Sequence, residues 1–561
     1  MFSFRFSFCS YLKRAFAALL SLCLASQALA NDKRPNIIVI IADDLGYGDL
    51  GAYGSEIHTP NIDALAQQGT MFSNFHVQAS CSPTRSMLLS GVDNHLNGMG
   101  TMAEDRMAHH ENLPGYVGHL NHDVVTIAKR LKSVGYSTHL SGKWHLGKAE
   151  NLRPHARGFT HSFAMLDGVG SHYDQTGVNS NVPVATYTRD GEIIARPPGY
   201  SSDLFTNELI EQLKKTDRKQ PFFAYLAFNA PHWPLQAPQK NIDKYQGVYE
   251  QGWDEIRQQR FEAMKRKGLL PVDERFRPRL DEVPEWKSLS KQEKALEAKR
   301  MQVYAGMIDR LDEAVGNLIQ YLESTGELDN SYVFFMSDNG PDPYDRSERP
   351  AYKSWLKYFN NQQDNMGQAD SYLFQGAAWA QVSSANLNAY KFLPTEGGTR
   401  APLVMRPPKG GKGDIKPAFF SLLDMAPSFW EMAGQSVDKQ GFDKKYKMSG
   451  RSALPYFQGT ENSVYQQSDV LSFELFGHAS VYMGPWKALS MRAPWGDGSW
   501  QLFNLTADPS EQHNLVKAEP AILKKMLSAY GQYRKDNRVV DEPEGVTAYP
   551  VKPVYRSGVA Q

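Results

Sequence analysis

Four short, continuous apolar runs, each broken off by polar residues, constrain what this chain can fold into more than any other feature. They are "NIIVII" (36–41) before Asp43 and Asp44, "YSTHLSGKWHLG" (136–147) with a strand before Lys143 and His145, "PFFAYLAFNAPH" (221–232) ending at His232, and "SYVFFMSDNG" (331–340) ending at Asp338 and Asn339. Runs that are apolar throughout suit strands buried on both faces of a parallel sheet, whereas a sheet with one wet face would alternate. Helical patterns lie between them. "TPNIDALAQQG" (59–69) offers Thr59 as a cap, Pro60 in the first turn and Gly69 as a stop. Met301, Tyr304, Ile308, Leu311, Val315, Leu318 and Leu322 form one face of an amphipathic helix that Gly326 ends. Alternating strands and helices predict a doubly wound α/β domain, whose sites form beyond the carboxyl ends of its strands. All four polar clusters fall at such ends.

Beyond residue 435 the pattern changes to short strands ("DVLSFEL", "ASVYMG", "WKALSM", "WQLFNL") and a final helix over about 519–534. This predicts a catalytic domain over 31–434 and a smaller α+β domain over 435–561, an antiparallel sheet with a helix. The charge-rich stretch 240–300 reads as a helical surface insertion, and "PPKGGKGDIKP" (407–417) as a turn before a helix-like "FFSLLDMAPSFWEMAG". At the other end Arg5, Lys13 and Arg14 precede the apolar "AFAALLSLCLAS", and "ALA" (28–30) precedes Asn31, the pattern of a cleavable signal peptide over 1–30. The apolar run is too short for a membrane span. Export by a bacterial-type signal implies a periplasmic or secreted protein, and removal of Cys9 and Cys23 with the signal leaves Cys81 as the one thiol. A formal net charge of zero argues against nucleic-acid or membrane-surface partners, which select a basic excess.

Asp43, Asp44, Asp338 and Asn339 gather hard oxygen donors from two strand ends, a set suited to Ca²⁺ or Mg²⁺ rather than zinc. Capping of neighbouring turns is the alternative use for such residues. Arg85, Lys143, Lys391, His145 and His232 add positive charge and proton-transfer capacity, and with a divalent cation they would make a pocket for a tetrahedral oxyanion. Cys81 lies four residues before Arg85, whereas a phosphatase-type cysteine loop needs six. Pro83 and "RSMLLSG" put Cys81 at a helix N-terminus, facing an anion. Spacing alone leaves it a nucleophile near an anion site, or a buried inert thiol.

"CSPTR" at 81–85 resembles the sulfatase signature C-x-P-x-R. "ADDLGYGDLGAYGSEIHTPNIDALAQQG", "SGKWHLG", "APHWPLQAP", "SDNG", "YKFLPTEGGTRAPLVM" and "WQLFNLTADPSEQHNL" resemble further sulfatase segments in the same order, most closely those of bacterial arylsulfatases. The resemblance implies an alkaline-phosphatase-like fold and hydrolysis of aryl, alkyl or carbohydrate sulfates. It also implies oxidation of Cys81 to formylglycine by a maturation enzyme acting before export, and one Ca²⁺ per chain, with Mg²⁺ as the alternative. Position by position, Asp43, Asp44, Asp338 and Asn339 match the metal ligands. Cys81 matches the formylglycine and Arg85 the residue that steadies it. Lys143 and His145 match the pair beside the aldehyde, and His232 and Lys391 the residues contacting the sulfate and leaving oxygen. Two rivals stand beside this reading: a phosphoester or phosphonate-ester hydrolase of the same superfamily, and a non-catalytic binder of sulfated glycans. Trp233, Tyr173 and Trp379 are candidates for an aryl or sugar subsite, against a default role in packing.

Overall fold

The computed structural model describes residues 34–437 and 445–556; the expected signal peptide lies outside the described residues. Ten strands among these residues form one sheet: β1 (Asn36–Ala42), β2 (Thr70–Phe72), β3 (Ser137–Lys143), β4 (His161–Met165), β5 (Tyr187–Arg189), β6 (Glu192–Ile194), β7 (Phe222–Ala227), β8 (Ser331–Ser337), β9 (Leu403–Arg406) and β10 (Asp414–Lys416). Their order across the sheet is β10-β2-β9-β8-β1-β7-β3-β4-β5-β6. The central five, from β8 to β4, are parallel, and antiparallel pairings begin at β9 on one side and β5 on the other. The sheet is therefore mixed, with a parallel centre that contains all four of the predicted strands.

β1 explains why its sequence is apolar throughout. Ile38, Ile40 and Ala42 enter one hydrophobic core with Met301, Tyr304, Ile308, Leu311, Val315, Leu318 and Leu322. Ile37, Val39 and Ile41 enter a second core on the opposite face, with Met87, Leu88, Leu89, Ile127, Leu131 and Phe429. Alternate side chains point to opposite faces, so helices on both sides leave no position between Ile37 and Ala42 for a polar residue.

The long helix runs over Lys291–Ser324, ten residues earlier than its apolar stripe suggested. A capping box between Ser290 and Glu293 starts it. The 240–300 stretch carries helices with exposed residues, as expected, but one face of it is packed into the fold. Its helix Trp253–Arg266 buries Trp253, Ile256, Arg257, Arg260, Phe261 and Met264, and Arg260 pairs with Asp49 at 2.6 Å and Glu56 at 2.7 Å. The charges read as solvated are partly internal. The predicted turn at 407–417 contains the edge strand β10, and Thr59 makes no side-chain cap to its helix, bonding Asp63 instead.

The smaller C-terminal unit is a four-stranded antiparallel sheet of β11 (Val470–Leu475), β12 (His478–Met483), β13 (Trp486–Ser490) and β14 (Trp500–Asn504). Met526 of the helix Pro520–Asn537 packs on Val481, Met483, Ala488 and Leu502 of this sheet. No described helix is long and apolar enough to cross a membrane.

Candidate active site

The parallel register fixes where the carboxylates meet. Ala42, the last residue of β1, lies opposite Ser337, the last residue of β8, so Asp43–Asp44 and Asp338–Asn339 leave the sheet side by side. The Asp44 amide donates to Asp338 Oδ1 at 3.2 Å, and Asn339 Nδ2 donates to Asp44 Oδ1 at 2.7 Å. All four residues are buried.

Cations interleave with them. Lys143 closes β3 two strands away and sets Nζ 2.6 and 2.9 Å from the two oxygens of Asp43. Arg85 reaches Asp338 Oδ2 through Nε at 2.9 Å and Nη2 at 2.8 Å, with Asp43 3.6 Å away. Lys391 Nζ lies 2.6 Å from Asp44 Oδ1 and 3.1 Å from Cys81 Sγ. Cys81 opens the helix Cys81–Ser90, where free amides and the helix dipole favour an anion. His232, beyond β7, faces Asp44 Oδ2 with Nε2 at 3.3 Å and approaches the Trp233 carbonyl with Nδ1 at 2.7 Å. His145, at φ +56°, meets Glu104 at 3.0 Å through Nε2, and its buried Nδ1 has no hydrogen-bond partner.

Burial sets the protonation tendencies. It pushes Asp43 up to about 7 against the pull of Lys143, and it raises Asp44 against Lys391. Asp338 also suffers burial, but Arg85, Lys143 and Lys391 outweigh it and hold the carboxyl below its usual range. Burial dominates at Cys81 and holds the thiol protonated despite Lys143 and Lys391.

Nine of the ten expected site residues thus form one connected cluster, and His145 stands at its edge on Glu104. Two neighbours were not anticipated. Glu104 lies on a short 3-10 turn with no periodic signal. Asp342 accepts from Trp233 Nε1 at 2.9 Å and pairs with Arg346 at 2.9 Å; its place four residues after Asp338 in "SDNGPDP" was the available hint. Trp233 adjoins the site, beneath the Arg346 guanidinium at 4.8 Å. Trp379 is fully buried against Trp253, Trp286 and Tyr249 and serves packing. Tyr173 packs edge-on against Tyr200.

The donor set fits a hard divalent cation. Asn339 Oδ1 is a buried acceptor with no hydrogen-bond donor, and Asp44 Oδ2 faces His232 Nε2 at 3.3 Å without a hydrogen bond, a costly arrangement that a cation relieves. Asp43, Asp44, Cys81 and His232 each bring a ligand-type atom within 4.8 Å of one another.

A sequence model of the sulfatase family matches residues 35–435. The chain belongs to the sulfatase family. It is 38% identical over 548 residues to an uncharacterised sulfatase of Schizosaccharomyces pombe, covering 94% of this chain and 98% of that one. It is 38% identical over 439 residues to an arylsulfatase of Klebsiella aerogenes, covering 76% and 93%. Among solved structures, Ps i-CgsB in complex with k-i-k-neocarrahexaose superposes with a TM-score of 0.64 at 27% identity, covering 90% of this chain and 94% of that one. This sulfatase is accordingly a sulfuric ester hydrolase, and its mixed sheet with a small antiparallel domain is the alkaline-phosphatase-like fold of its neighbours.

Proposed function

We propose that this sulfatase hydrolyses aryl or carbohydrate sulfates through a formylglycine made from Cys81, with Ca²⁺ held by Asp43, Asp44, Asp338 and Asn339. The observation that carries the proposal is the setting of Cys81. It sits at a helix N-terminus, 3.1 Å from Lys391 and among Lys143 and Arg85, yet burial keeps its thiol neutral. Cys81 also opens the sequence CSPTR, which resembles the signature whose cysteine is the precursor of another group. Formylglycine, as its hydrate, supplies one hydroxyl to attack sulfur and a second to expel the sulfate afterwards. Ca²⁺ supplies Lewis-acid stabilisation of the sulfate oxygens.

The chain's own residues do the rest. Asp43, Asp44 and Asp338 are matched in number by Arg85, Lys143 and Lys391. A bound divalent cation would therefore leave surplus positive charge for a sulfate ester anion. Lys143 and Arg85 hold the carboxylates in place, and Lys391 binds the sulfate. His232 or Lys391 protonates the departing oxygen, and His145, oriented by Glu104, takes the proton released when the aldehyde reforms. The arylsulfatase relative of Klebsiella aerogenes supports an aryl substrate, and the k-i-k-neocarrahexaose complex of Ps i-CgsB supports a carbohydrate one. The chain is proposed to act in the periplasm or outside the cell, after removal of residues 1–30 and oxidation of Cys81 by a formylglycine-generating enzyme. The domain boundary is proposed at 434/435.

The mass of the peptide containing Cys81, from active protein purified from its own host, tests the proposal. An aldehyde is expected there, and an unmodified thiol in active protein would overturn it. A phosphonate monoester hydrolase of Agrobacterium radiobacter shares the fold at TM-score 0.52 and 17% identity. Aryl sulfate and aryl phosphate turnover should therefore be compared with the same leaving group, and sulfate is expected to be preferred.

A further inference from the structure

We propose that the segment 538–556 is a strap that completes the active site, and that Tyr549 is a positioning residue holding the Lys391 and His145 sides of the pocket together. The inference rests on the sulfatase reading above for the roles of those two residues.

Tyr549 is buried and has two connections that converge on the site from opposite sides. Its ring stacks on Phe392, with centroids 3.8 Å apart and planes 26° from parallel. Phe392 follows Lys391, and its amide donates to the Ala79 carbonyl at 2.7 Å, two residues before Cys81. Its φ is +74°, a conformation that a bulky side chain adopts only where its surroundings impose it. The stacked Tyr549 ring is part of that surrounding, together with Tyr344 and Phe476. From the other end of the same side chain, the Tyr549 hydroxyl donates to Asp105 Oδ2 at 3.2 Å. Asp105 follows Glu104, the partner of His145.

The strap is anchored along its length. The Val540 amide donates to Tyr116 at 2.9 Å, and the Val551 carbonyl accepts from Tyr344 at 3.0 Å. Glu542 receives His109 at 2.7 Å and His110 at 3.0 Å. The Met107 amide donates to His110 Nδ1 at 3.2 Å, which leaves the His110 ring proton on Nε2, facing Glu542. This histidine pair therefore serves as a latch on the 103–116 loop rather than as a pair of open metal ligands. The strap thus grips the loop bearing Glu104 and the loop bearing Lys391, and Tyr549 joins the two.

The test uses the full chain with Tyr549→Ala, Tyr549→Phe, Lys391→Ala and the double variant Tyr549→Ala/Lys391→Ala. Tyr549→Ala is expected to lower kcat for an aryl sulfate about tenfold, within the range that small misplacements of a positioned group cost, with KM changed by less than about twofold. Tyr549→Phe keeps the stack on Phe392 but loses the bond to Asp105, so it should recover only part of that loss. In the Lys391→Ala background, Tyr549→Ala should cost less than in the wild type, because one of the two sides it positions is already gone. Hydrogen exchange of peptides covering 100–110 and 388–395 supplies a readout without turnover, and both should exchange faster in Tyr549→Ala. If exchange rises only within 538–556, or the two losses multiply fully in the double variant, the inference is overturned. A wild-type protein inactive on sulfate esters would defeat the functional reading instead, while the exchange data would still decide whether the strap couples the two loops.

Discussion

Lys487 joins the two parts of the molecule through a fully buried ionic cluster, and its replacement by methionine has a calculable cost. Its Nζ, on β13 of the small sheet, lies 2.8 Å from Glu396 and 2.7 Å from Glu511, with all three side chains inaccessible. Glu396 keeps other partners, His76 at 3.0 Å and Arg400 at 3.6 Å. Burial works against its charge, but His76, Lys487 and Arg400 hold it well below the usual carboxylate range. Glu511 is the weak member. Burial pushes its carboxyl up against the pull of Lys487, and its remaining donor is the Glu396 amide at 3.2 Å. Methionine preserves most of the volume, so the loss is electrostatic: removing one partner of a buried pair costs about 3–5 kcal/mol. Glu511→Gln in the same background removes the stranded charge and should recover about 1–3 kcal/mol, a coupling that only a double-variant cycle isolates. The deficit should also shrink as pH falls, because a carboxyl raised in the folded state takes up its proton before the unfolded chain does and its penalty is relieved. Urea denaturation of the wild type, Lys487→Met and the double variant measures all three. A single variant within about 1 kcal/mol of wild type, or a double variant less stable than the single, would refute the reasoning.

Four further outcomes are expected. Cys81→Ser should give no sustained turnover, since a single hydroxyl cannot both attack and expel; steady-state sulfate release by that variant would sink the formylglycine reading. His232→Ala and Lys391→Ala separate the two candidate acids, because loss of the true acid should slow alkyl sulfates far more than nitrophenyl sulfate. Chelation should abolish activity, with Ca²⁺ restoring it and elemental analysis finding about one ion per chain. His95 lies between Asp93 at 2.8 Å and Glu474 at 2.6 Å; burial opposes its charge, but the two carboxylates outweigh it and raise its pKa to about 9. Its contribution of about 3 kcal/mol is therefore complete below about pH 6.5 and lost as pH rises through about 9. His95→Gln should remove that slope from denaturation midpoints measured across this range.

The site was legible where the backbone alone positions it. Asp43, Asp338, Lys143 and the approach to His232 stand at or just beyond the ends of β1, β8, β3 and β7, and strands buried on both faces announce themselves as unbroken apolar runs. Cys81 was legible because Pro83 and the residues after it mark a helix start. The start of the long helix at Lys291 was missed because buried Glu297 and Arg300 interrupt its stripe, although Ser290 and Glu293 spelled its cap. Arg260 misled for the same reason, since a charge that pairs inward looks in sequence like one that faces water. Glu104 and Tyr549 were invisible for a deeper reason. Each acts through a partner distant in sequence and sits on a loop whose course no periodicity sets, as in the Tyr549–Asp105 bond. In this fold the carboxylates and Lys143 stand at the carboxyl ends of strands and Cys81 and Arg85 on one helix, while Glu104 and Tyr549 stand on loops and turns. The cluster shared with sulfatases is therefore the readable part, and the contacts that hold its surrounding loops are long-range pairs that only the folded chain displays.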